Sequence, residues 1–456
     1  MHFTSFDHFC SYMESFTNLE KLNSGYTVRL YRLDRMRKLL SYLGNPQNDY
    51  KILHLAGSKG KGSTAMFLAK GVEAAGYKTG LYTSPHLCDY RERFTLAGTF
   101  FTETQLLDAA NELLRRLEGF TFIDQWGTSE PTAFELYTSY AYILFSLAGC
   151  QWAVIETGLG GRLDATNATV SEAAIITPIE LEHTAILGHT IPLIAAEKAK
   201  IIKEGTPLFL SRQKPEAREV FIQEALEQHS RIYELPLEVE VLSRRTTMEG
   251  EHVTITWKDQ SQTNLLLRMR GEVQAENCAL ALLVLKTLNL YVQGKTERAL
   301  EQAQLPGRME LIDSSPALVI DGAHTVESLR HLVNSFVQLF GLEGNTLIYG
   351  ALEDKDHRHM ALLLLPVFDT IIICRPGTFK KSDPAALHAL FLSMAGEMIK
   401  SPTIYLEEEA DDALALAYRL TCPHHAILAT GSFYLAGEIV TSHATVQRRA
   451  DVPELA

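Results

Sequence analysis

Three glycines and two lysines alternate in Gly57-Ser-Lys-Gly60-Lys61-Gly62-Ser63-Thr, directly after the apolar run Lys51–Leu55 and before the helical pattern Thr64–Lys70. A glycine-rich turn between a strand and a helix lets backbone N–H groups and the positive helix end cradle phosphate. Lys61 would bring a mobile cation to the terminal phosphates, and the Ser63 hydroxyl would ligate Mg2+. The match departs from the usual phosphate loop: Leu55 stands where the first glycine belongs, and Gly62 separates the lysine from the serine. A glycine-rich turn between strand and helix could also be simple punctuation; the two lysines interleaved with the glycines favour phosphate. A second chemical group is Glu156, at the end of the apolar run Trp152–Glu156 and followed by Thr-Gly-Leu-Gly-Gly-Arg162. A carboxylate at the carboxyl end of a parallel strand lies where ligands bind, and can hold the same Mg2+. A third is the polar loop Thr83-Ser-Pro-His-Leu-Cys-Asp-Tyr-Arg-Glu-Arg93, in which Arg91 and Arg93 offer bidentate recognition of carboxylates. Taken alone, His183 reads as a structural histidine, and Lys198 as part of a solvated face with Lys200 and Lys203.

The elements that must position these groups alternate. Helical spacing of Phe6, Phe9, Tyr12 and Met13, then of Leu30, Leu33, Met36, Leu39, Leu40 and Leu43, ends at Gly44-Asn-Pro46. Strands are expected at Lys51–Leu55, Gly80–Thr83, Trp152–Glu156, Ala174–Thr177 and Pro207–Leu210, near-continuous apolar runs of the doubly covered, parallel type. Helices are expected at Glu103–Leu117 and Thr132–Leu147, the latter opening on a Thr132-x-x-Glu135 capping box. From about Ser230 the runs Glu238–Leu242, Val253–Trp257 and Asn264–Arg268 indicate a small antiparallel piece, followed by a helix over Ala275–Leu288. Beyond Pro306-Gly307 a fresh βα alternation begins, with strands at Ala317–Asp321, Thr346–Tyr349, Thr370–Cys374 and Ala426–Thr430. The fold class is therefore α/β: an N-terminal phosphate-loop domain over residues 1–305, with a parallel sheet and a small antiparallel addition, and a Rossmann-like domain over 306–456. The last dozen residues read as a polar, frayed tail.

A chain of 456 residues is long for one core. Its net charge of −13 argues against a nucleic-acid surface. The six cysteines are scattered without a C-x-x-C pair, as expected of reduced thiols in a cytoplasmic protein. No signal peptide and no run long enough to span a bilayer is indicated.

The compact Ala-Gly-Ser-Lys-Gly-Lys-Gly-Ser loop, the following Thr83-Ser-Pro-His-Leu87 and the run Glu156-x-Gly-Leu-Gly-Gly-Arg-Leu-Asp-Ala-Thr-Asn167 resemble the folylpolyglutamate synthase and dihydrofolate synthase family, within the Mur ligase superfamily. The resemblance extends in order over roughly residues 50–440. It implies nucleotide contacts from Gly57, Gly60, Lys61, Gly62 and Ser63, from Asn277 against adenine, from Arg308 to the phosphates, from Asp321 to ribose and from His324 to a phosphate. It implies metal ligation by Ser63, Glu156 and His183, with Lys198 carbamylated by CO2 to help hold a second Mg2+. Ser84, Pro85, His86, Arg93 and Asp164 would serve the folate and glutamate sites, and Lys61, Lys198 and His324 the chemistry. Glu182, Val273, Thr325 and Val326 depart from the family pattern, at positions where Asp, His, Asn and Pro are usual.

The implied enzyme is an ATP-dependent acid–amino-acid ligase, with ATP in the cleft between the two domains. It adds L-glutamate to the carboxylate of a folate through an acyl phosphate, and dihydropteroate stands as a second candidate acceptor. The expected partners are these small molecules alone, with no nucleic acid and no membrane, and the enzyme is expected to be a monomer. A Mur-type ligase acting on a UDP-muramyl precursor, and a non-catalytic nucleotide-binding protein, are the competing readings. The Thr83–Leu87 and Leu159–Asn167 runs speak against the first, the retained Ser63, Glu156, His183 and Lys198 against the second.

Overall fold

The computed structural model describes residues 2–17, 32–122, 129–377 and 381–450. It divides into two compact units, residues 1–243, 254–265 and 276–303 in one and 244–253, 266–275 and 304–456 in the other. The chain leaves the first unit twice before its final departure, within and just after the small sheet.

The first unit holds an eight-stranded sheet of β1 (Lys51–Ala56), β2 (Thr79–Tyr82), β3 (Phe94–Leu96), β4 (Thr99–Phe100), β5 (Trp152–Glu156), β6 (Ala173–Ile176), β7 (Leu208–Leu210) and β8 (Ile232–Glu234). Their spatial order is β4-β3-β2-β5-β1-β6-β7-β8. Strands β2, β5, β1, β6, β7 and β8 run parallel, with Leu55 opposite both Glu156 and Ile175. In this sheet β3 runs antiparallel to both its neighbours, β2 and β4. In β1 every residue after Lys51 is buried, as a central strand covered on both faces requires.

The helix Ala133–Leu147 shows how local and distant signals agree. Thr132 accepts from the Glu135 N–H at 3.2 Å and Glu135 accepts from the Thr132 N–H at 2.8 Å, the reciprocal capping read from the sequence. The same Glu135 carboxylate receives Arg35, from the helix Leu33–Tyr42, at 3.2 Å. Arg35 is fully buried, its guanidinium 3.9 Å from the Phe122 ring centroid. Removal of either partner would leave the other charge uncompensated, at a cost of about 3–5 kcal/mol.

A small three-stranded sheet follows, ordered β11-β10-β9, from β9 (Val239–Thr247), β10 (Gly250–Trp257) and β11 (Gln262–Leu267). Its two short connections can join neighbouring strands only antiparallel.

The second unit is a six-stranded sheet of β12 (Glu310–Ser314), β13 (Ala317–Ile320), β14 (Thr346–Tyr349), β15 (Thr370–Ile373), β16 (Thr403–Leu406) and β17 (Ala426–Thr430), ordered β12-β13-β17-β14-β15-β16. All neighbours are parallel except β12 with β13. The four strands expected here are the inner ones. The two that the sequence did not signal, β12 and β16, are edges whose residues are half-buried or exposed, so their apolar pattern is weak. Strand β8, also unsignalled, is the far edge of the first sheet. The C-terminal helix Phe433–Ala450 continues into the stretch read as a frayed tail, and Leu30 and the last six residues lie outside the described ones. Among the described residues, no helix is long and apolar enough to cross a membrane.

Candidate active site

Strand β1 ends at Ala56, and the chain then turns at Gly57 into the helix Lys61–Ala74, with Gly60 as its N-cap in a left-handed conformation (φ 82°). Both glycines are required by close approach. A Cβ on Gly57 would stand 1.8 Å from Thr177 Oγ1, and one on Gly60 2.4 Å from Asn277 Oδ1. The loop is pinned from one side, since the Ser58 and Lys59 N–H groups donate to Pro178 O at 2.9 and 3.2 Å. The first turn of the helix, through Lys61, Gly62 and Ser63, supplies the N–H groups of a helix N-terminus, the usual anchor for phosphate.

Asn277 stands on a helix that touches the one running out of the loop. A Cβ on Gly71, in the helix Lys61–Ala74, would lie 2.2 Å from Leu285 Cδ1 of the helix Val273–Thr287. Val273, at the start of that helix where the family has histidine, is exposed.

Charged groups converge on the loop. Lys61 Nζ donates to Gly57 O at 3.1 Å and lies 3.9 Å from Glu156 Oε1. Glu156, buried at the end of β5, accepts on its other oxygen from the Ser84 N–H at 3.3 Å. Lys198, in the helix Ile191–Ala199, donates to the same Gly57 carbonyl at 2.7 Å and pairs with Glu182 at 3.0 Å. Burial pulls the Lys198 ammonium below the ordinary lysine range, and the Glu182 charge opposes that shift. His183, beside Glu182, is exposed and left-handed (φ 46°), heading the short helix Thr184–Leu187. The Thr64 and Thr157 hydroxyls, one residue after Ser63 and Glu156, are buried without a hydrogen-bond partner.

The glycine loop after β5 closes against the helix that carries Lys198. Arg162 N donates to Glu197 O at 2.8 Å, its guanidinium meets the Glu197 carboxylate at 3.0 Å, and a Cβ on Gly161 would lie 2.8 Å from Glu197 O. Asp164, deeply buried, accepts from the N–H groups of Leu159 and Thr166 and from the Thr166 hydroxyl. Burial raises its pKa, and these donors partly offset the rise.

The loop after β2 is organised by its own acids. Glu92 accepts from the N–H groups of Leu87, Cys88 and Asp89, and Asp89 accepts from Nε and Nη2 of Arg91. Arg91 is thus engaged within the loop. Arg93 is buried, donates to His86 Nδ1 at 2.8 Å and lies 5.1 Å from the Tyr137 ring centroid. The Ser84–Pro85 peptide is cis.

In the second unit Arg308, Asp321 and His324 gather around the C-terminal end of β13 and Phe433. The Arg308 guanidinium lies 4.3 Å from the Phe433 ring centroid, and the His324 ring centroid 6.2 Å from it. Asp321 accepts from the N–H groups of Met309 and Ala323, each at 2.8 Å, and His324 Nδ1 lies 2.8 Å from Gly322 O. Thr325 is the N-cap of the helix Val326–Phe340, in a reciprocal arrangement with Ser328. A threonine there can perform the capping that asparagine would perform.

Sequence reasoning treated Glu182 only as a departure from a pattern and His54 as part of a strand. Glu182 is the direct partner of Lys198, a contact that only the fold creates. His54 was signalled by being the one polar residue inside an otherwise apolar central strand.

Known proteins resemble this chain along nearly its whole length. The family described as Mur ligase, glutamate ligase domain, matches residues 307–433. The dihydrofolate synthase/folylpolyglutamate synthase of Bacillus subtilis is 30% identical over 414 residues, covering 89% of this chain and 94% of that protein. The folylpolyglutamate synthase of Lacticaseibacillus casei is 31% identical over 415 residues, 89% of this chain and 92% of that one. A solved structure of Mycobacterium tuberculosis folylpolyglutamate synthase complexed with ADP matches at a TM-score of 0.84 and 27% identity, covering 96% of this chain and 97% of that one. With its α/β units, its phosphate loop and this similarity along nearly its whole length, the chain belongs to the dihydrofolate synthase/folylpolyglutamate synthase family of ligases.

Proposed function

We propose that this protein joins the amine of L-glutamate to the carboxylate of a folate at the expense of ATP, passing through an acyl phosphate. The observation that carries the reading is the convergence of Lys61, Glu156 and the Ser84 N–H at the mouth of a glycine loop. This set links a phosphate anchor to the loop assigned to the acceptor.

The residues present fit a bound Mg2+. Ser63 and Glu156, both buried beside the glycine loop, offer hard oxygen donors. Among the described residues no three His, Cys, Asp or Glu cluster as a metal site. At a second position His183 and carbamylated Lys198 are proposed. The unmodified ammonium is no ligand, whereas a carbamate beside Glu182 and Gly57 O would place acceptors against acceptors, which a cation would relieve. Bound Mg2+ would neutralise charge on the phosphates.

A carboxylate oxygen of the folate attacks the γ-phosphorus of ATP and ADP leaves. The glutamate amine then attacks the acyl carbon, loses a proton and expels phosphate. Lys61 stabilises charge on the transferring phosphoryl group, and the first-turn N–H groups hold it in line. Asn277 is assigned to adenine, Arg308 and His324 to phosphate and Asp321 to ribose. Ser84, Pro85, His86, Arg93 and Asp164 are assigned to the acceptor and glutamate. Arg93 acts from a buried position, so its role includes holding His86. The enzyme works on small molecules as a cytoplasmic monomer in this reading.

Mass spectrometry of reactions containing reduced folate, ATP, Mg2+ and L-glutamate should show a folate one glutamate longer, with ADP and phosphate. Dihydropteroate, assayed in parallel, decides whether it is a second acceptor. Addition to a UDP-muramyl substrate, with none to folate or pteroate, would overturn the reading in favour of a Mur-type ligase.

A further inference from the structure

We propose that His54 is a positioning residue for the acceptor site: through Thr166 it fixes Asp164 and ties the glycine loop after β5 to the strand that leads into the phosphate loop. The proposal rests on the assignment of Asp164 to the acceptor.

His54 Nε2 lies 2.9 Å from Thr166 Oγ1, and that oxygen lies 2.5 Å from Asp164 Oδ1. The second carboxylate oxygen, Oδ2, accepts the Leu159 N–H at 2.8 Å, within the glycine run. His54, Thr166 and Asp164 are 1%, 0% and 4% exposed, so water does not compete for these bonds.

The direction of the chain follows from proton count. The Thr166 hydroxyl has one hydrogen, and a carboxylate can only accept, so the hydroxyl donates to Asp164. Its lone pair then faces His54, and Nε2 must carry the proton. Burial pulls the His54 pKa down to about 3, so the ring is the neutral Nε2–H tautomer. The backbone of Thr166 is held independently, its carbonyl accepting from the Tyr142 hydroxyl at 3.3 Å and the Thr169 hydroxyl at 2.9 Å. The hydroxyl rotor is the remaining freedom, and His54 removes it. Strand β1 thereby dictates where the Asp164 carboxylate points, in addition to delivering Gly57 and Lys61.

Steady-state kinetics on four full-length variants, with folate and ATP varied separately, test this. His54→Leu removes the donor, His54→Gln restores an N–H near the Nε2 position, His54→Asn carries an amide too short to reach Thr166, and Asp164→Asn tests the underlying assignment. His54→Leu should raise the folate KM about fivefold to tenfold, the size of one lost hydrogen bond, with the ATP KM within about twofold. His54→Gln should recover most of the loss and Asp164→Asn should raise the folate KM at least as much. Where His54→Leu fails to fold, His54→Asn against His54→Gln gives the same contrast. An unchanged folate KM in His54→Leu or His54→Asn, beside a raised one in Asp164→Asn, overturns the role of His54 and leaves the ligase reading standing. An unchanged folate KM in Asp164→Asn overturns the assignment on which the proposal rests. Equal rises in both KM values without rescue by glutamine would make His54 a packing residue and overturn it too.

Discussion

Lys198 Nζ lies 3.0 Å from Glu182 Oε1 and 2.7 Å from Gly57 O, with the lysine side chain only 2% exposed. Glu182, read from the sequence as a departure from the family pattern, is the acidic partner of this lysine. Burial works against the Glu182 charge, but the charges of Lys198, Lys61, Lys59 and His183 more than reverse this and hold the carboxyl well below the usual range. The lysine reaches the glycine loop through its bond to Gly57 O, so Lys198 is tied to the turn proposed to hold nucleotide.

Glu182→Gln should therefore destabilise the protein by about 3–5 kcal/mol, because it strands a buried ammonium. Urea unfolding at neutral pH reads this directly. The pH sign follows from the depressed carboxyl. The stabilisation is present above the unfolded value of about 4.3 and is lost as pH falls below it towards the lower folded value. The variant should lack that acid limb, and an identical acid profile would contradict the coupling.

Lys198 is predicted to carry a carbamate when nucleotide and magnesium are bound. Only a neutral amine reacts with CO2, and burial already lowers the Lys198 pKa, which raises the neutral fraction at a given pH. Electron density from crystals grown with both ligands should extend past Nζ. A bare ammonium there, still paired with Glu182, would refute the modification.

Lys61→Ala should lower turnover by about 10²–10³-fold, the usual effect of removing one donor aimed at transition-state charge. The ion pair to buried Glu156 is loose at 3.9 Å, and that carboxylate keeps the Ser84 N–H, so the thermal midpoint should fall only slightly. Normal turnover in the folded variant would remove Lys61 from the chemistry.

Gly71→Val tests the route by which Asn277 reaches the phosphate loop. A Cβ at Gly71 already stands 2.2 Å from Leu285 Cδ1, so the leucine must turn away or the helices Lys61–Ala74 and Val273–Thr287 must part, at about 1–3 kcal/mol. The KM for ATP should rise while the folate KM changes little, since Asn277 is drawn away from Gly60. Loss of stability with an unchanged ATP KM would show that the helix contact does not position the nucleotide.

Much of this protein is written locally in its sequence. The buried strands at Trp152–Glu156 and Thr346–Tyr349 were legible because inner parallel strands are apolar on both faces, and the Thr132–Glu135 cap because its partners are three residues apart. The glycine loop at Gly57–Gly62 was legible for the same reason: backbone geometry at a turn is a short-range demand. The edge strands β8, β12 and β16 were not, since half their residues face water and the periodic signal fades. Tertiary structure alone decided who meets whom. It set Glu182 against Lys198, Arg35 against Glu135, Arg93 against His86, and His54 through Thr166 onto Asp164. The His54–Thr166 pair is 112 residues apart and the Arg35–Glu135 pair 100, and no propensity or spacing encodes such bonds; even His86 and Arg93, seven residues apart, meet only in the fold of their loop.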